Sequence, residues 1–160
     1  MDWFVKAFLK ASLAWLAAGV TLGVAMAAVP AWVVYRPAHM HMNLLGFVAM
    51  MIYGVAYHVM PRFSGHALHS RRLAGWHWWA SNAGLLLMVA GFAARVHVGA
   101  AAVPVLALGG TLSALGAYAF AYGLWRTVDG PAAMRRAAAR AQESRGARLP
   151  LAGGGAAQGG

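Results

Sequence analysis

Four long apolar runs constrain this chain more than any other feature: residues 7–29, 39–60, 73–96 and 101–125. Each reaches the roughly 20 residues that a helix needs to cross a bilayer. Helices of a soluble bundle would carry a polar face. These carry almost none, in a chain that is 61% hydrophobic and 10% charged. The expected fold is an all-α integral membrane protein of four transmembrane helices.

The charge gives these helices an orientation. Lys6, Lys10, Arg62, Arg71, Arg72, Arg126, Arg135, Arg136, Arg140, Arg145 and Arg148 lie at one set of ends or beyond, and only Arg36 and Arg95 at the other. Positive residues stay on the cytoplasmic side. Both termini and the loop between the second and third helices are therefore expected in the cytoplasm of a prokaryotic inner membrane. The net charge of +10 reads as topology and contact with lipid headgroups. Nucleic-acid binding fits poorly, because no folded soluble face gathers the basic side chains. The first helix has a basic start and small residues near Ala27, as a signal peptide would, but its apolar run is too long, and it reads as an uncleaved span.

Pro30 and Pro37 bracket a short loop on the outer side. Pro61 is expected to end the second helix, with 65–70 as the inner loop and 99–104 as a tight outer turn. Residues 127–160 read as a basic cytoplasmic tail. Within it, 131–145 suits a helix lying on the membrane surface, and the Gly/Ala-rich 149–160 suits disorder. Gly19 and Gly23 form a small-xxx-small pattern. In so Ala/Gly-rich a span that pattern says little about oligomerisation.

Histidine carries the candidate chemistry. An imidazole inside a membrane is a functional-site hypothesis by default. His39 and His41 stand two residues apart on the second helix, about 200° apart in azimuth and about 3 Å in height. One helix can thereby serve two sites at one depth, an arrangement that suits haem iron. No cysteine is present, which excludes disulfides, thiolate ligands and covalent haem attachment. A b-type haem would need imidazole on iron and cations for its propionates. His39, His41 and His97 share the outer level with Arg36 and Arg95.

His41, one turn deeper, is the favoured ligand. His39 reads equally as a ligand or as an interfacial group bonded to water. His97, beside the turn, reads more readily as interfacial. At the inner level His77 sits in a Trp76-His77-Trp78-Trp79 cluster and reads as a packing and hydrogen-bonding residue. A second haem between His58 and His77 across the hairpin is the less favoured alternative. His66 and His69 read as solvated loop residues. The only acids are Asp2, Asp129 and Glu143, outside the spans. Proton transporters usually carry intramembrane carboxylates, and a carboxylate-bridged metal site has no ligands here. Met40, Met42, Met50, Met51 and Met60 would suit a copper path, but methionine in an apolar helix is more often filler.

The stretch His39-Met40-His41-Met42-Asn43-Leu44-Leu45-Gly46-Phe47, followed by Gly54-Val55-Ala56-Tyr57-His58-Val59-Met60-Pro61-Arg62, resembles the tenth helix of a haem–copper oxidase catalytic subunit. The C-type branch, with its b-type haems, is most similar. The likeness runs on through Leu68-His69-Ser70-Arg71-Arg72-Leu73 into His77-Trp78-Trp79, towards the eleventh helix, and covers roughly residues 39–90. In that family the first histidine of the pair is the proximal ligand of the high-spin haem, and the second is a ligand of the low-spin haem. The resemblance places those roles on His39 and His41.

That family's subunit has at least twelve helices in three pseudo-repeats of four, whereas this chain offers one repeat. The copper histidines and the redox tyrosine have no counterparts, so a complete oxygen-reducing centre in one chain is not expected. A homotrimer would rebuild a twelve-helix ring, with His41 of one protomer and His39 of its neighbour on one iron. The first expectation is therefore a bis-histidine haem b protein, with residues 1–126 as the haem-binding membrane domain. It would transfer electrons with a redox partner or quinol. The alternatives are an enzyme or sensor binding oxygen or nitric oxide, and a non-catalytic subunit of a respiratory complex.

Overall fold

The computed structural model describes residues 1–130, 139–140 and 142–144. One compact unit covers Met1–Gly130 and a second covers Pro131–Gly160. The tail readings for 131–145 and 149–160 fall almost wholly outside the described residues.

Every regular element among the described residues is helical. Helix α1 is Trp3–Ala28. A 3-10 turn, Pro30–Tyr35, leads into α2, Arg36–His41. A π-helix, Met42–Ala49, joins α2 to α3, Met50–Ser64. Helix α4 is Arg71–Val98, a 3-10 turn covers Gly99–Ala102, and α5 is Val103–Val128. Hydrocarbon offers backbone amides no partner, so an apolar run of this length satisfies them internally as a helix. Three runs are long and apolar enough to cross a membrane: Trp3–Ala28, Pro30–Ser64 and Arg71–Val128. The third folds back at Gly99, whose φ of 60° favours glycine, so the long apolar helices number three to four.

The helices run alternately up and down. Trp3 and Phe4 of α1 meet Trp78 and Tyr57, while Gly19 and Gly23 meet Asn43 and His39 at the other end. Glycine sets the α4–α5 hairpin. A Cβ on Gly109 would lie 2.7 Å from the Gly84 carbonyl oxygen, and one on Gly91 would lie 2.8 Å from Leu106. Neither backbone could approach so closely with a larger residue at those positions.

Pro61 does not end the second rod as expected. Helix α3 passes through it to Ser64. Proline removes one N–H but leaves the next turn able to bond. The stop is set by Gly65 in the left-handed region, φ 68°, with His66 N–H donating to the Pro61 carbonyl at 3.2 Å. Ser70 then caps α4 by accepting from the Leu73 N–H at 3.2 Å.

The packed core lies towards the His58 end. Phe4, Val5, Phe8, Met50, Tyr57, Ala74 and Leu85 form it. At the His39 end, α2 buries only Ala38 and the preceding 3-10 turn buries nothing.

Candidate functional site

The histidine pair straddles α2. His39 Nδ1–H donates to the Gly19 carbonyl of α1 at 2.8 Å. Its ring fills a notch that only glycine leaves open, since a Cβ on Gly23 would sit 2.8 Å from His39 Cε1. His41 turns towards α4, where its ring lies 4.8 Å from that of Phe92. His41 Nδ1–H donates to the Pro37 carbonyl one turn back at 2.7 Å. A carbonyl only accepts, so both rings carry the proton on Nδ1. Each neutral ring keeps its lone pair on Nε2. That is the tautomer of an imidazole able to bind a metal, with its second nitrogen held by the protein.

Asn43 was not singled out in the sequence, yet it braces this site. Its side-chain nitrogen donates to the His39 carbonyl at 2.9 Å, and its amide packs on Gly19. The π-helix begins at Met42, directly after the pair. Such segments are rare and cluster at functional sites. Neither apolar periodicity nor composition signals one, whereas the i, i+4 spacing of His39 and Asn43 was visible.

Arg36 and His39 line one pocket of about 530 Å³, together with Met26, Val33 and Met40. Arg95 lies in the last turn of α4 and does not line it. His97 is exposed and pairs through Nε2 with the Tyr35 hydroxyl at 3.1 Å.

The inner histidines are built differently. His77 is fully buried, with its ring 4.6 Å from Tyr53, 4.9 Å from Phe8 and 5.5 Å from Phe120. Its Nδ1 bonds the Tyr57 hydroxyl at 2.9 Å, and its Nε2 has no hydrogen-bond partner. The group that reaches it across the hairpin is Tyr57, not the adjacent His58. His58 instead receives Arg62 Nη1–H on its Nδ1 at 3.0 Å. Arginine only donates, so the His58 proton sits on Nε2. His69 is exposed, its ring 5.7 Å from Tyr122. Among the described residues no three or more His, Asp or Glu side chains gather as a metal cluster.

One end of the bundle therefore sets the His39 imidazole beside Arg36, residue types that could hold a haem iron and a propionate. The chain is similar to an oxidase subunit. Cytochrome c oxidase subunit 1 of Rhodobacter capsulatus aligns with it over 115 residues at 30% identity, covering 56% of this chain and 22% of that protein. The chain thus spans less than a quarter of that relative's length. No protein-family model matches it. The similarity supports a relationship to haem–copper oxidases. With the long apolar helices, it points to a multi-pass membrane protein.

Proposed function

We propose that the chain is a b-type haem protein of a prokaryotic inner membrane that carries electrons, with His39 and His41 as the residues that would hold its iron. The observation that carries this reading is the shared tautomer, with both Nδ1–H groups on backbone carbonyls and both Nε2 lone pairs left over. Iron porphyrin, when bound, supplies a reversible one-electron couple. The chain's own residues fix the imidazoles, provide a propionate cation in Arg36, and exclude water through the apolar spans.

His39 faces α1 and His41 faces α4. Two rings on opposite flanks of one helix do not meet on one iron, so each supplies one ligand. A neighbouring copy completes the pair, and a homotrimer closes the ring. Two imidazoles leave iron no open position, which favours electron transfer, with quinol or a soluble carrier as partner, over oxygen chemistry. The excess of basic residues at the His58 end supports a cytoplasmic position for that end, with four crossings and both termini inside. Similarity to an oxidase subunit 1 supports this reading.

Visible spectra of the purified chain, oxidised and reduced, together with a pyridine haemochrome assay and native mass measurement, test it. The expected result is a b-type α band and a haem-containing trimer. A colourless, iron-free preparation, or colour that survives deletion of both histidines, refutes it.

A further inference from the structure

At the His58 end a pocket of about 530 Å³ opens between the start of α1, the last turns of α3 and the turn that follows. Its basic lining groups include His58, Arg62, His66 and Arg71, and among the described residues its one lining acid is Asp2. Asp2 is ion-paired with Arg71. Among the described residues no second carboxylate lines the pocket to balance Arg62.

Arg62 spends a single nitrogen, Nη1, on the carbonyl and Nδ1 of His58. A guanidinium carries five N–H donors in a rigid fork, so Nη2 and Nε remain to donate. The same contact fixes the His58 proton on Nε2 and makes that ring a second donor. Val5 and Leu68 add apolar side chains to the same lining. Donors beside apolar side chains match a phosphodiester with acyl chains attached, and basic pockets between membrane helices on the cytoplasmic side suit anionic headgroups.

We propose that this pocket binds a phosphate group, with Arg62 as the fork and His58 Nε2–H as the second donor. That chemistry comes either from the headgroup of an anionic phospholipid or from free phosphate. The assignment does not depend on whether the chain holds haem.

The test uses the full chain in phosphatidylcholine nanodiscs, with and without phosphatidylglycerol. Native mass spectrometry counts the retained lipid, and tryptophan fluorescence follows thermal unfolding. The unmodified chain should retain phosphatidylglycerol in several-fold excess over phosphatidylcholine. Arg62→Gln should abolish that excess, while Arg126→Gln, an exposed arginine in the last turn of α5, should keep it. Inorganic phosphate that raises the unfolding temperature in phosphatidylcholine discs, only when Arg62 is present, supports the same pocket with the free anion as ligand. If Arg62→Gln does not fold, Arg62→Lys carries the test, since it keeps the charge and loses the fork, and it should lose most of the excess. The proposal is overturned if neither probe separates the unmodified chain from the Arg62 variants, or if Arg126→Gln loses as much.

Discussion

At the His39 end each imidazole gives its Nδ1–H to a backbone carbonyl, Gly19 or Pro37, and keeps a lone pair on Nε2. At the His58 end an arginine donates into His58 Nδ1, and the Nε2 atom becomes a donor. His77, two turns into α4, is sealed among Phe8, Tyr53, Tyr57 and Phe120. The residue type is the same throughout. What each ring can do is decided by the partner of its other nitrogen, and that partner is set by neighbouring backbone and charge. Packing follows the same division. One end is a glycine notch that seats the His39 ring, and the other is a filled aromatic core.

The sharpest way to break this contrast is to delete rings at both ends. His41→Ala and His39→Ala should each lower haem retention by roughly 10- to 100-fold or more, read from the reduced α band. His58→Ala should leave that band unchanged. Equal loss from all three variants would erase the distinction between the ends.

Filling the notch is the next largest effect. Gly23→Leu places side-chain atoms where His39 Cε1 now lies. Overpacking of this kind costs about 1–3 kcal/mol, so haem titration should show about tenfold weaker binding in a folded protein. Asn43→Ala removes the bond to the His39 carbonyl. A hydrogen bond of this type contributes about 0.5–1.5 kcal/mol, and haem affinity should fall by a few-fold.

The smallest effect sharpens the comparison from the filled end. His77→Phe keeps the ring volume and removes a buried nitrogen that has no partner. It also costs Tyr57 its hydrogen bond. The two changes oppose each other, and thermal unfolding should show a net change within about 1.5 kcal/mol with an unaltered haem spectrum. His77→Ala opens a cavity in the same place and should cost about 2–5 kcal/mol. A loss of haem in His77→Phe would move the ligand to the wrong end of the molecule.

Much of the scaffold was legible in the chain. The expected run 73–96 lies within the helix Arg71–Val98, whereas 101–125 starts two residues before the helix Val103–Val128 and ends three residues short of its end. The 99–104 turn sits where Gly99 adopts its positive φ. The second rod was read too short at both ends. It starts at Arg36, because Pro37 is well placed in a first turn, and it passes Pro61. Gly19 and Gly23, whose spacing said little about oligomerisation, seat Asn43 and His39 within the chain. The glycines at 109, 116 and 123 recur every seven residues on one face of α5, a signal for the hairpin that composition alone obscured.

The sequence by itself determined that the described chain is helical and apolar, because helix formation in hydrocarbon is settled within each segment by its own hydrogen bonds. It also determined that two imidazoles stand two residues apart, since helical geometry turns spacing into direction. Only the tertiary structure decided which groups meet the rings of His39 and His77. The Gly19 carbonyl that sets His39 is 20 residues away in the chain, as is the Tyr57 hydroxyl that meets His77. Such partners are chosen by how helices pack, and helical periodicity says which way a side chain faces but not what waits there.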